Sequence, residues 1–178
     1  VSKSRDYWFF SALALVAGLY LWSKSRQGQG TIEVGIEMAD VAGTRIVNAM
    51  TSRGYRNNNP GNLEWISDPA RRWSGMISND GRYAVFDSPQ NGTRALGHQL
   101  LKYYGAGVRS IRDIISKWAP STENNTSAYI AHVSSLLGVS ADISLNVPQV
   151  LEQLASAIAL HENGYLSSDY DWSWTRIA

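Results

Sequence analysis

Of the charged side chains in this sequence, Glu162 has the position best suited to chemistry. From Val147 the apolar residues Leu151, Leu154 and Ile158 recur at helical spacing, and the next place on that face is Glu162. Burial on such a stripe disfavours the charged carboxylate and keeps the proton on toward neutral pH, which suits a general acid that protonates a leaving group. The position equally suits a solvated residue in the last turn, with Gly164 as the left-handed stop behind it. His161, beside it, is placed to pack or hydrogen-bond at the border of such a site.

Several other chemistries are poorly served. His98, His132 and His161 lack the short spacing of a zinc motif, so neither a metal site nor a cofactor is expected. The chain has no cysteine, which removes disulfides, thiol nucleophiles and thiolate metal ligands, and it has no G-x-S-x-G element. Charge is unevenly placed. The first 30 residues hold four of the 16 basic side chains and one of the 15 acidic ones, leaving 12 against 14, or −2, for the rest. A body of that sign has no electrostatic footprint for a phosphate backbone, so nucleic acid is not an expected partner.

The elements that must position Glu162 follow from punctuation and periodicity. Tyr7 to Trp22 is uncharged and bracketed by Ser-Lys-Ser-Arg tetrads. Its 16 residues would rise about 24 Å as a helix, enough for a short single-pass anchor with snorkelling basic ends and interfacial Tyr and Trp. Residues 1–26 are thus expected to be a transmembrane anchor, 27–31 a flexible linker and 32–178 one mainly α domain of α+β type. Helix is expected over Glu37–Ser52. Leu63–Ile66 and Tyr83–Phe86 read as a small β-hairpin, with Asn79-Asp80-Gly81 supplying turn chemistry. Pro60-Gly61 in the Asn57–Asn62 run has type II order, which would place Gly61 at positive φ.

Ser88 with Pro89 opens a helix whose inner face holds Gly92, Leu96, Leu100 and Tyr103. Ser110 with Asp113 caps Ile111–Trp118, and Thr126–Leu137 ends at Gly138. Asn146, with Pro148 in the first turn, caps the helix that carries Glu162. The aromatic tail Tyr170 to Trp174 is expected to pack on the body.

Within this layout, Asn57 to Leu63, Trp73-Ser74-Gly75 and Tyr83 to Pro89 resemble a segment of bacterial autolysin and flagellar glucosaminidases. There the catalytic glutamate closes an Ala-rich helix upstream of the segment. The matching run here, Ala155 to Gly164, stands downstream, which implies a permuted motif order. Residues 53–164 also resemble phage virion-associated murein-degrading proteins, through Arg56 to Asn62, Trp118-Ala119-Pro120, Glu123-Asn124, Tyr129 and His161-Glu162-Asn163-Gly164.

The resemblance implies a lysozyme-like fold and cleavage of the β-1,4 aminosugar backbone of peptidoglycan, by hydrolysis or by a lytic transglycosylase route. It also implies a place in a virion membrane or host inner membrane, among other virion proteins. Glu162 would be the acid. Glu64, Asp80 and Asp87 are candidates for a second carboxylate, Glu64 first; each equally fits a strand end, turn or cap. Asn58, Asn59 and Asn62 would present amides to sugar acetamido groups or form a rigid turn; Trp65 and Tyr83 would stack on sugar or pack in the core. His161 completes the expected substrate-binding set. A murein endopeptidase on the same scaffold and a non-enzymatic glycan-binding virion protein are the alternatives.

If residues 1–26 form an anchor separate from the domain, their deletion should leave a soluble chain with undiminished helicity per residue in the remainder, read by circular dichroism and sedimentation. Aggregation would place Tyr7–Trp22 in the core instead.

Overall fold

The computed structural model describes residues 52–173, all within the compact unit Ile46–Ala178. The expected anchor, the linker, and the helix at Glu37–Ser52 apart from Ser52 itself lie outside the described residues. Among the described residues no helix is long and apolar enough to cross a membrane. The architecture is mainly helical with one two-stranded hairpin. A single turn, α1 (Arg53–Arg56), leads through a loop and a 3-10 turn (Pro69–Arg71) to β1 (Met76–Asn79) and β2 (Ala84–Phe86). Then come α2 (Pro89–Gly105), α3 (Ile111–Trp118), α4 (Thr126–Leu137), a 3-10 turn (Val147–Val150) and α5 (Leu151–Asn163).

The helices begin and end where their chemistry dictates. Ser88 Oγ accepts from the Asn91 N–H at the start of α2, Ser110 Oγ from Asp113 N–H at α3, and Asn125 Oδ1 from Ala128 N–H at α4. Gly138 and Gly164 close α4 and α5 at φ 68° and 70°. One expected cap fails. Asn146 makes no side-chain cap bond, because Val147–Val150 winds as a 3-10 turn before α5 begins at Leu151.

The main core joins α2 to α5. Leu96, Leu100, Ile111, Ile114, Ile115, Val133, Leu151, Leu154 and Ile158 are essentially sealed from solvent, so the apolar stripe leading to Glu162 is the buried face of α5. A smaller cluster of Met76, Ala84, Phe86 and Ala95 lies beneath the hairpin. The tail packs as expected over its described part: Tyr170 is buried, Trp172 rests on the main core, and Thr93 Oγ1 donates to Asp171 O at 3.2 Å.

The hairpin corrects the sequence reading. β2 pairs with Met76–Asn79, in the register Met76↔Phe86, Ser78↔Val85 and Asn79↔Ala84, and not with Leu63–Ile66. The irregularity between Met76 and Ser78 leaves Ile77 exposed, so this strand lacks the alternation that would advertise it. Leu63–Ile66 runs along the other side of β2 with a single bridge, Glu64↔Tyr83. The Asn57–Asn62 loop joins it there, Asn57 O accepting from Phe86 N–H at 2.9 Å.

The positive φ values in that loop belong to Asn58 (50°) and Asn62 (47°); Gly61 is not among them. Asparagine tolerates the left-handed region better than most residues with a Cβ. Gly61 is needed for a different reason, since a Cβ there would lie 2.8 Å from Trp118 Cζ2 and 3.0 Å from Leu96 Cδ1. Gly92 in α2 is tighter still: its Cβ would stand 1.7 Å from the carbonyl oxygen of Asn58.

Two glycines of α2 should therefore respond in opposite directions to alanine. Gly105, with open space around its Cβ position, should gain about 0.5 kcal/mol as Gly105→Ala. Gly92→Ala should lose about 3 kcal/mol or more, because backbone must move. Urea unfolding of both variants measures the contrast, and equal effects would mean that α2 and the Asn57–Asn62 loop do not touch.

Candidate active site

The end of α5 meets the Asn57–Asn62 loop, the end of α3 and the middle of α4, and Glu162 stands at the meeting point. Asn62 Nδ2 donates to Glu162 Oε2 at 2.8 Å and the Tyr129 hydroxyl donates to Oε1 at 2.9 Å. The Trp118 side chain lines the cleft beside the carboxylate and favours its charged form. Burial pushes the Glu162 carboxyl above the usual glutamate range, against the pull of these donors and of the Arg53 charge. Burial, followed by the neighbouring carboxylate, pushes the Tyr129 phenol far above its own usual range, so it remains a neutral donor.

Glu162 lies at the floor of a cleft of about 440 Å³. One wall is the segment Gly61–Glu64 with Ile66, Trp73, Arg82 and Tyr83; the other is Lys117–Pro120 with Glu123 and Asn124, and Gln99 and Tyr103 of α2 complete the lining. At the rim, Arg82 pairs with Glu64 at 2.8 Å and with Glu123 at 2.6 Å, all three side chains about half exposed or more. The floor thus favours a neutral acid, while the rim holds paired charges.

Of the residues expected from sequence, Glu162, Asn62, Glu64 and Tyr83 come together in this cleft. Guanidiniums stand over the Tyr83 ring, Arg53 at 4.5 Å and Arg82 at 5.2 Å from its centre. Asn58, Asn59, Trp65 and His161 are not cleft-lining residues. Asn59 is fully buried: its Nδ2 donates to Leu63 O and Ala84 O, and its Oδ1 accepts from Leu63 N–H, so no part of it is left for a ligand. Asn58 Nδ2 donates to Phe86 O, and Trp65 packs on the hairpin cluster beneath the Arg72 guanidinium, 4.1 Å away. The His161 ring stacks behind Tyr129.

The other carboxylate candidates have structural work. Asp80 holds the hairpin turn, and the Tyr83 N–H above all keeps its carboxyl below the usual range. Asp87 accepts from Ser88 and Asn91 at the start of α2. Trp118, Tyr129 and Arg82 are the site residues that the residue-by-residue reading did not assign. Trp118 and Tyr129 carried a signal only as quoted parts of the resemblance, because each also fits the inner face of its helix; Arg82 carried none.

Asn163 locks this arrangement. Its Nδ2 donates to Pro60 O and Ala159 O, both at 2.8 Å, and its Oδ1 accepts from the Ser52 hydroxyl at 3.0 Å. The stretch His161 to Gly164 is therefore used residue by residue: a ring behind Tyr129, the carboxyl, the amide lock and the left-handed stop.

No family profile matches the chain. It is 36% identical over 124 residues to Protein P5 of Pseudoalteromonas phage PM2, a match that covers 67% of this chain and 76% of that protein. The chain belongs to the Protein P5 family. Its expected kinship with bacteriophage proteins is met by that relationship.

For this P5-family chain the buried acid has a thermodynamic signature. The native state binds the Glu162 proton more tightly than the unfolded chain does. Stability from this group is therefore complete below the ordinary glutamate value of ~4.3 and is lost as pH rises through the raised native value. Glu162→Gln removes that dependence, and Asn62 can turn its unpartnered Oδ1 toward the new amide. The Gln variant should equal or exceed the wild type in denaturant unfolding at pH 7, and its advantage should shrink toward pH 4. An advantage that grows on acidification would mean that Glu162 is charged at rest.

Proposed function

We propose that this chain cleaves the glycan backbone of peptidoglycan, with Glu162 as general acid, on a lysozyme-like domain. The observation that supports this most directly is the Glu162 carboxyl at the floor of an open cleft, desolvated yet ringed by Asn62, Tyr129 and Trp118. Burial raises the proton affinity of such a group, and the same donors stabilise the carboxylate once the proton has gone. The relationship to a bacteriophage protein fits a virion component that opens the cell wall at entry, with Tyr7–Trp22 as its membrane anchor.

In the proposed step Glu162 gives its proton to the bridging oxygen between two aminosugars. The bond from that oxygen to the anomeric carbon breaks, its electron pair leaves with the oxygen, and positive charge develops at the anomeric centre. The lytic transglycosylase route is favoured over hydrolysis by the state of the other cleft carboxylates, since Glu64 and Glu123 are both engaged by Arg82 at the exposed rim. A hydroxyl of the substrate then attacks the anomeric carbon and gives its proton to the Glu162 carboxylate, which restores the acid and leaves an anhydro sugar end.

Glu162→Gln keeps the shape and removes the proton; a loss of ~10²–10⁴-fold in turbidity clearance of sacculi is expected, with folding retained. Mass spectrometry of wild-type digests should show anhydro sugar ends. Reducing ends would mean hydrolysis, new peptide termini a murein endopeptidase, and binding without soluble products a non-enzymatic glycan-binding protein.

A further inference from the structure

Beside Tyr129, and outside the residues that line the cleft, two histidines 29 positions apart in sequence are brought together. His132 Nδ1 and His161 Nδ1 are 2.9 Å apart. Their ring centres are 5.1 Å apart, so the separation of the centres exceeds that of the nitrogens by about a ring's width and the two nitrogens point at each other. One ring therefore donates its N–H and the other accepts, an arrangement that fixes the plane of each. Collinear lone pairs do not suit joint ligation of one metal ion at a cis angle, and the pair reads as a hydrogen bond.

His161 in turn lies flat on Tyr129, with ring centres 3.6 Å apart and planes 11° from parallel. Tyr129 and His132 are one turn apart on α4 and share a face, so α4 presents both rings to His161 of α5. Tyr129 is the residue whose hydroxyl reaches Glu162 Oε1. The contacts form a single chain from an exposed histidine to the acid: His132, His161, Tyr129, Glu162. Packing alone would be met by an apolar ring at 161; an imidazole adds the bond to His132 and with it a fixed orientation.

We propose that His161, held in plane by His132, is a positioning residue that orients the Tyr129 hydroxyl onto Glu162 and so sets the proton affinity of the acid from outside the cleft. The proposal rests on the reading of Glu162 as a titrating acid but not on its substrate. The groups facing Glu162 are Asn62, Trp118 and Tyr129, with Arg53 acting through its charge; those facing His161 are His132 and Tyr129.

The test follows the Glu162 side-chain carboxyl by carbon-13 NMR through a pH titration, assigned by its loss in Glu162→Gln. Tyr129→Phe sets the full effect: removing a hydrogen bond to the charged form should raise the titration by about one unit. His161→Ala should give most of that rise, His161→Phe should restore most of the wild-type value by keeping the stack, and His132→Ala should fall between. On sacculi, His161→Ala should lower kcat about tenfold with KM little changed, and its pH profile should move with the carboxyl.

An unchanged or lowered titration in folded His161→Ala overturns the proposal, as does a Phe variant that restores nothing. Should His161→Ala fail to fold, His132→Ala at its exposed position carries the same measurement, and a wild-type titration there overturns the role of the pair. A wild-type protein that leaves sacculi intact while the carboxyl shifts as stated would sink the proposed substrate and leave the positioning role standing.

Discussion

A carboxyl largely withdrawn from water at the end of α5 is the constraint on which the site is built. Desolvation alone pushes the proton affinity of Glu162 up; hydrogen bonds to the carboxylate pull the other way. The structure supplies both. Burial comes from the stripe Leu151, Leu154 and Ile158 that carries Glu162 into the body. The groups that favour the carboxylate come from three other segments: Asn62 from the Asn57–Asn62 loop, Trp118 from the end of α3 and Tyr129 from the middle of α4. That balance requires four segments to converge on one carboxyl.

Holding the loop at that length explains its run of asparagines. Each amide ties the loop to something different: Asn57 to Asp80, Asn58 to Phe86 O, Asn59 to Leu63 and Ala84, and Asn62 to Glu162. From the opposite side Asn163 reaches back to Pro60 O. Buried amides are costly when unpaired and order their surroundings when paired, so a loop made this way tolerates little drift. Gly61 and Gly92 let the backbone come close enough for those bonds to form, Gly61 against Trp118 and Gly92 against Asn58 O.

Much of this was legible in the sequence where local chemistry decides the outcome. α3 and α4 begin and end at the residues that capping and periodicity indicate, and the stripe that makes Glu162 unusual is the buried face of α5. Legibility failed where a side chain had two uses that local pattern cannot separate. Asn58 and Asn59 have the residue type of sugar contacts, yet their amides are consumed inside the protein. Tyr129 and Trp118 fit inner helix faces, and only the tertiary meeting with α5 brings them to the acid. The strand Met76–Asn79 escaped because its irregular register breaks the alternation by which strands are read. The positive φ expected at Gly61 falls instead at Asn58 and Asn62, and the constraint at 61 is steric.

The same cleft treats its carboxyls in opposite ways, and the difference is one of solvent. Glu64 and Glu123 share Arg82 at an exposed rim, where each ion pair is screened by water and adds little to stability. Glu162 lies in the same cleft with amide and phenol donors in place of a salt bridge, so no positive partner holds it ionised by contact. With a guanidinium in contact, Glu162 would lose the rise in proton affinity that burial gives it. The arginine at the rim thus pairs the two carboxylates that would otherwise stand in the cleft as uncompensated charge, and it leaves Glu162 as the one cleft carboxyl among the described residues whose surroundings raise its proton affinity.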